Sequence, residues 1–290
     1  LYDRALVAAE IEWLYQYEPR VSEPEAVDPY PSLVYLTCDE KDTVDDIAID
    51  VTGHGHDGVL TGQTAVAGIK GESLSFDGSG WVTLVDSHSL PLDNADSTVM
   101  MWLNTTSELS MGLFTHGPAD GANVPQDRAL AMNPNNRGAG LLGVIHSEVG
   151  VCWGATPIND GEWHHIVGLA RAEGIWEIWV DAQKDTSNTY APLSSLNHNY
   201  CSLGIAGTDH INETRIYIGV LDDIRIYNRA LDSLEIDSLF NEPNPVSAGF
   251  LNHPANSLLQ QVSPNPFTTS TTLSFRLFKP EKVQFTVYNV

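Results

Sequence analysis

Positive charge is scarce in this chain: 14 Lys and Arg stand against 38 Asp and Glu, a formal net charge of −24. A polyanion would meet a like-signed field over most of such a surface, which excludes nucleic acid as a partner. Cysteine is scarcer. The three residues Cys38, Cys152 and Cys201 match no CxxC or zinc-ligand spacing, and an odd count leaves at least one thiol unpaired. A Cys152–Cys201 disulfide stays open at this level, because both residues lie in strand-like segments. Long apolar runs are missing too. Stretches such as Val99-Met100-Met101-Trp102-Leu103 fall far short of the ~20 residues a membrane-crossing helix needs, so no transmembrane segment is expected. The opening Leu1-Tyr2-Asp3-Arg4 has no Met, basic stretch or apolar core, so a signal peptide is expected to be already removed or to lie outside this piece.

What is present is enough apolar material for a core, 42% of the 290 residues, which rules out a wholly disordered chain. The acidic surface favours hard divalent cations, which carboxylate and carbonyl oxygens bind without thiolate or imidazole, and calcium is the candidate.

Sliding the chain on itself by 225 positions brings Tyr2-Asp3-Arg4-Ala5-Leu6, Glu10-Ile11 and Leu14 onto Tyr227-Asn228-Arg229-Ala230-Leu231, Glu235-Ile236 and Leu239. In the second copy Asp232 and Glu235 have capping-box spacing ahead of a helical period, so a short helix is expected there. Residues 1–17 then read as the end of a preceding domain of the same kind. Residues 18–32, rich in Pro and carboxylates, read as an extended linker. Residues 33–241 form a domain of short β-rich runs: Trp81 to Val85, Thr98 to Leu103, Leu141 to His146, Trp163 to Ala170, Trp176 to Val180, Ile216 to Ile218 and Ile224 to Tyr227, separated by turn residues. Many short strands without intervening helices predict an all-β fold, an antiparallel β-sandwich or jelly roll. Residues 242–261 read as a second linker, and residues 262–290 as the start of a truncated C-terminal β module of Ig-like sandwich type, with strands at Thr271 to Leu277 and Lys282 to Val290.

Five motifs in order carry a resemblance: Cys38-Asp39-Glu40; Asp50-Val51-Thr52-Gly53-His54-Gly55-His56-Asp57-Gly58; Ser75-Phe76-Asp77-Gly78; Asn159-Asp160-Gly161-Glu162-Trp163-His164-His165-Ile166; and Leu221-Asp222-Asp223-Ile224-Arg225-Ile226-Tyr227-Asn228-Arg229-Ala230-Leu231. Together they resemble the laminin-G-like (LamG-like), concanavalin A-like jelly-roll domains of bacterial extracellular proteins. Cys38 departs from the aromatic usual in that family. The resemblance implies a structural calcium ion between an early loop and the last strand, with Asp39, Asp50, Asp77 and Asp222 at the matching landmarks and carbonyls near Gly53 completing the shell. Turn-forming Asp residues that cap backbone N–H groups are the competing account of the same positions. The tail, Pro264-Asn265-Pro266-Phe267 and later Val287-Tyr288-Asn289, is similar to the C-terminal sorting domains of type IX secretion cargo. That similarity implies export across the outer membrane by the type IX machinery to an extracellular or cell-surface location.

No catalytic residue is assigned and the chain is read as non-enzymatic. Glu235-Ile236-Asp237 has the beginning of a retaining glycosidase pattern, but Leu239 and Phe240 stand where the further carboxylate belongs. His54, His56 and Asp57 are spaced for a metal, yet the glycines between them argue for a tight turn, and adjacent His164 and His165 point to opposite faces of a strand. Sugars are held by aromatic rings against their apolar faces and amides on their hydroxyls, which selects Trp81, Trp153, Asn135 and Arg137 as ligand candidates, whereas Trp102, Trp163, Trp176 and Trp179 sit in strand runs and belong to the core. The expected function is a binding module of a multidomain protein, for a polysaccharide or a surface protein. An accessory module of a polysaccharide-degrading enzyme and a structural spacer of an adhesin or filament are the alternatives.

Overall fold

The computed structural model describes residues 30–39, 42–44, 46–92, 94–117, 128–134, 138–146, 149–193, 200–205 and 215–242, and the backbone of two further strands at 257–263 and 272–277. The chain divides into Leu1–Pro31 and Ser32–Val290, and the elements below belong to the second unit. The expected domain end at 1–17, most of the linker at 18–32, and the Pro264-Asn265-Pro266-Phe267 and Val287-Tyr288-Asn289 motifs lie outside the described residues.

One sheet comprises β1 (Val34–Leu36), β5 (Thr64–Ala67), β6 (Glu72–Asp77), β8 (Ser97–Asn104), β13 (His164–Ala170), β14 (Ile175–Val180), β15 (Gln183–Thr189) and β17 (Ile218–Tyr227), in the order β15-β14-β13-β8-β17-β6-β5, with β1 also on β17. The other comprises β2 (Thr43–Val44), β3 (Ile47–Ala48), β4 (Gly58–Leu60), β7 (Val82–Leu84), β9 (Met111–Gly117), β10 (Arg128–Met132), β11 (Leu142–His146), β12 (Gly150–Trp153) and β16 (Tyr200–Leu203), in the order β12-β11-β10-β9-β16-β7-β4-β3-β2. Every ladder is antiparallel. This is the expected concanavalin A-like jelly roll.

Alternation within the strands explains the two layers. Val99, Met101 and Leu103 of β8, Trp176, Ile178 and Val180 of β14, and Leu221, Ile224 and Ile226 of β17 meet Val82 and Leu84 of β7, Phe114 of β9, Leu130 and Met132 of β10 and Leu203 of β16 in one core. Burying each such side chain stabilises the fold by about 1.5–3 kcal/mol before entropy is counted.

Strand β17 corrects the reading of Ile216–Ile218 and Ile224–Tyr227 as separate strands. The chain runs straight through, with a bulge that shifts register between Asp222 and Arg225 and puts Asp223 at φ 51°. The extra residue lets Leu221 and Ile224 both face the core although they are three apart, which breaks the period-two pattern and leaves Asp222 and Asp223 together outside it. The middle of the outer side of this sheet, at β8 and β13, is then covered. Helix α1 (Ser233–Phe240) starts at the expected capping box, in which Asp232 accepts from the Leu234 and Glu235 N–H groups and Glu235 accepts from the Asp232 N–H. Its Ile236 and Leu239 are buried, and Phe240 stacks on Trp102 at 5.5 Å and lies 5.8 Å from His165.

Beside the helix is a buried charge cluster. Arg225, 0% exposed, donates to Asp223 and Glu242 at 3.0 and 2.6 Å and to the Tyr35 hydroxyl at 2.9 Å, with its guanidinium 4.0 Å from the Tyr35 ring. Lys70 pairs with the same two carboxylates at 2.6 and 2.7 Å. Burial works against the Asp223 charge, but the Arg225 and Lys70 cations outweigh it and hold the group far below the usual carboxylate range.

Two further expectations change. Cys152 on β12 and Cys201 on β16 are free, buried thiols separated by β11, β10 and β9. Four strand spacings of about 4.8 Å place them ~19 Å apart, beyond any disulfide. The tail boundary moves as well. Strand β18 (Ser257–Ser263) pairs with β19 (Thr272–Leu277), so ordered β structure starts inside the segment read as linker 242–261. The Leu258-Leu259-Gln260-Gln261-Val262 run is short enough to be masked by the Asn and Pro around it.

Two outcomes follow from this packing. His165 is 0% exposed, neither ring nitrogen has a partner, and burial lowers its pKa to about 3. Unfolded, it titrates near the ordinary ~6.5, so between those values only the unfolded chain takes the proton and stability falls as pH drops, by up to about 1.4 kcal/mol per pH unit. His165→Phe should therefore raise the melting temperature relative to wild type more at pH 5 than at pH 7; an equal difference at both pH values would refute the assignment. Arg225→Met strips the Asp223–Glu242 pair of one cation and should lower the unfolding free energy in urea by about 3 kcal/mol or more.

Candidate functional site

With the middle of one outer face covered, the nine-stranded sheet supplies the other. Residues directly opposite one another form a single row across it: Val151, Ile145, Ala129, Thr115, Ser202, Thr83, Val59, Ile47 and Val44. Their neighbours Cys152, Val144, Leu130, Phe114, Leu203 and Val82 belong to the core, so the pleat turns this row outward. The row holds no charged residue. Its middle, Ala129, Thr115 and Ser202, is buried, and its β2 end is open: Val44 is 54% and Val59 40% exposed.

Three more side chains share that side at the open end. Trp81 and Val85 stand two positions either side of Thr83, and Tyr200 stands two before Ser202. Val85 is 44% exposed, while Trp81 and Tyr200 are half-buried. The Tyr200 hydroxyl is 2.9 Å from the Thr83 hydroxyl and also bonds the Trp81 side chain; burial raises its pKa against the lowering effect of both hydrogen bonds. The Thr61 N–H donates to the Trp81 carbonyl at 3.1 Å, and at the preceding Gly80 a Cβ would strike the Thr61 carbonyl oxygen. Only glycine lets the chain approach so closely and present Trp81 as it does. The result is an indole and a phenol linked through the Tyr200 hydroxyl beside hydroxyl and aliphatic side chains.

Of the ligand candidates read from sequence, Trp81 lies in this group. Trp153 ends β12 opposite Gly143, on the same side of the sheet as Val151 but five strand spacings from β7, about 24 Å away. Asn135 and Arg137 lie outside the described residues. The sequence reading missed Tyr200, Thr83, Val85, Val59, Ile47 and Val44. Alternation of Trp81, Thr83 and Val85 against Val82 and Leu84 was visible, but its partner strands were not.

The metal candidates do not form one group. Asp50 accepts from the Tyr35, Thr52 and His56 N–H groups and the Thr52 hydroxyl, and the Gly53 N–H donates to the Asp50 carbonyl, so both close the turn that follows β3. Asp77 accepts from the Ser79 N–H and hydroxyl at 2.9 and 2.6 Å. Asp39 and Asp222 converge on the β5–β6 turn: Asp39 accepts from Glu72 N–H at 2.9 Å, and Asp222 Oδ2 from Ile69 and Lys70 N–H at 2.9 and 3.0 Å. Asp222 Oδ1 is buried with no partner, and burial, with Asp223 and Asp39 adding, pushes the group up to about 8. Among the described residues no three His, Cys, Asp or Glu side chains are grouped to hold a metal. Glu235, from the weighed glycosidase pattern, is committed to the helix cap and to Arg229 at 2.8 Å.

Comparison with known proteins agrees with this fold. Among solved structures, the chain is similar to the binding domain of Paraclostridial Mosquitocidal Protein 1 (16% identity, 73% of this chain and 52% of that one, TM-score 0.57). It is also similar to domain 4 of AbnA, an extracellular GH43 arabinanase of Geobacillus stearothermophilus, solved with arabinotriose (18% identity, 72% and 98%, TM-score 0.55), and to a botulinum neurotoxin serotype D/C binding domain (11%, 79% and 55%, TM-score 0.54). It thus spans about half the length of the toxin chains and nearly all of the arabinanase domain, and identities this low establish shared fold alone. No curated protein sequence matches. The Laminin_G_3 profile, described as the concanavalin A-like lectin/glucanases superfamily, matches residues 76–237, more than half of the chain, and to that family the chain belongs.

Proposed function

We propose that this chain is a non-catalytic, extracellular or cell-surface binding module that holds a glycan on the outer face of its nine-stranded sheet. The observation that carries the reading is the Trp81–Tyr200–Thr83 group. Two rings locked by hydrogen bonds lose little conformational freedom on binding, offer flat apolar faces to a sugar ring, and leave hydroxyls nearby for its polar edge. The arabinanase domain solved with arabinotriose supports the ligand class, and the toxin binding domains support a recognition role for the architecture. Service as an accessory module beside a polysaccharide-degrading domain is compatible with the same site. Export by type IX machinery rests on the Pro264-Asn265-Pro266-Phe267 and Val287-Tyr288-Asn289 motifs.

Calcium is proposed at a narrower place than the sequence implied. Asp39 and Asp222 fit a cation because Asp222 Oδ1 is a buried oxygen without a donor beside a second carboxylate, and a bound ion would supply the charge compensation that burial denies it. Asp50, Asp77 and Gly53 are left out, being committed to their own turns.

Trp81→Ala should weaken polysaccharide binding at least tenfold, about 1.4 kcal/mol, in calorimetric titration while the protein stays folded at the titration temperature, and Trp153→Ala should not weaken it. For calcium, adding the ion to chelated protein at 100 times its dissociation constant should stabilise the wild type by about 2.7 kcal/mol, and Asp222→Asn should lose that response whereas Asp77→Asn keeps it. Equal melting with ion and with chelator in the wild type would eliminate the ion.

A further inference from the structure

We propose that the ligand of this face is an uncharged, hydroxyl-rich polysaccharide, and that glycans carrying carboxylate or sulfate are rejected; this rests on the glycan-binding reading above. The chain is highly charged, yet the row Ser202, Thr83, Val59, Ile47 and Val44, with Trp81, Tyr200 and Val85 beside it, contains no ionisable acid or base apart from the tyrosine hydroxyl. Ser202 is buried, so the accessible strip runs from Thr83 on β7 to Val44 on β2, three strand spacings or about 14 Å, long enough for linked sugar rings.

Among the described cations five are committed elsewhere, and Arg171, just after β13, and the exposed Arg215, before β17, lie off the strands of the strip. Lys70, Arg128 and Arg225 are buried, Lys184 pairs with Glu177 at 2.7 Å and lies over the Trp179 ring, and Arg229 pairs with Glu235. None of strands β2, β3, β4, β7 and β16 contains Lys or Arg. The described ionisable groups that border the strip are the acids Asp46, Asp57 and Asp86 and the imidazoles of His56, 3.3 Å from the Val85 carbonyl, and His88, 2.9 Å from Asp86. Asp46 lies in the turn between β2 and β3, with its carbonyl accepting from Leu60, and Asp57 precedes β4, with its carbonyl accepting from Val85. An anionic sugar entering there would lose water without gaining a charge-assisted hydrogen bond and would be repelled by the net charge of −24. An uncharged chain meets neither cost, and its apolar ring faces match the exposed Val44, Val59 and Val85.

The test titrates the full 290-residue chain with soluble neutral arabinan and β-glucan, polygalacturonate and dextran sulfate, at 20 and 300 mM NaCl, alongside Trp81→Ala. The proposal expects binding to at least one neutral polymer, lost in Trp81→Ala and changing less than twofold between the two salt concentrations, with the charged polymers bound at least tenfold more weakly. Binding of polygalacturonate or dextran sulfate through Trp81, weakening as salt rises, would overturn the uncharged-ligand inference and leave glycan binding standing. Neutral binding that survives Trp81→Ala would overturn the assignment to this face. No binding to any of the four polymers would overturn the glycan function itself.

Discussion

The fold is organised around the buried ionic cluster of Arg225, Asp223, Lys70 and Glu242. Its four charges balance, and they come from three parts of the sandwich: the bulged strand β17, the β5–β6 turn, and the segment just beyond α1. Tyr35 of β1 adds its ring and hydroxyl. Such a cluster tolerates no missing partner, since a lone buried charge costs several kcal/mol. It therefore ties the early strand, the hairpin turn and the chain after the helix to one place, and with them holds α1 over the eight-stranded sheet.

That placement divides the labour between the two outer faces. Trp102 and His165, which would otherwise be exposed, are covered by Phe240, and the middle of the face that carries them becomes interior. Among the described residues no α-helix lies over the ends of β2, β3, β4 and β7 in the other sheet, and there the outward residues are hydroxyl, aliphatic and aromatic. Aliphatic side chains left exposed in a strongly acidic protein are best accounted for by what binds them. The turn carboxylates fit the same scheme: Asp50 and Asp77 satisfy backbone N–H groups and shape loops, and Asp222 alone retains a buried oxygen without a donor.

Much of the fold was legible from period-two alternation and turn chemistry, as in Thr98 to Leu103, Trp176 to Val180 and the Asp232–Glu235 cap, because these depend on residues near one another in the chain. The bulge in β17 was not legible, since Leu221-Asp222-Asp223-Ile224 has the composition of a turn and only pairing with β8 on one side and with β6 and then β1 on the other keeps it extended. Strand β18 was hidden for a similar reason. Cys152 and Cys201 looked pairable because strand order, and with it their separation, is not written in local sequence. At the site, Trp81 was identifiable as an aromatic beside a turn. Tyr200 was not, because 119 positions separate it from Trp81 and only the β16–β7 ladder brings its hydroxyl to Thr83 and Trp81.

The sequence by itself determined the class of fold, the acidic field, the absence of any long apolar helix and the helix cap, all of which follow from composition or from contacts a few residues apart. The tertiary structure alone decided which outer face is covered, which carboxylates converge and which aromatic meets which hydroxyl. Those outcomes depend on strand order and register, where shifting one ladder by a single residue turns a whole row of side chains from the core to the outside.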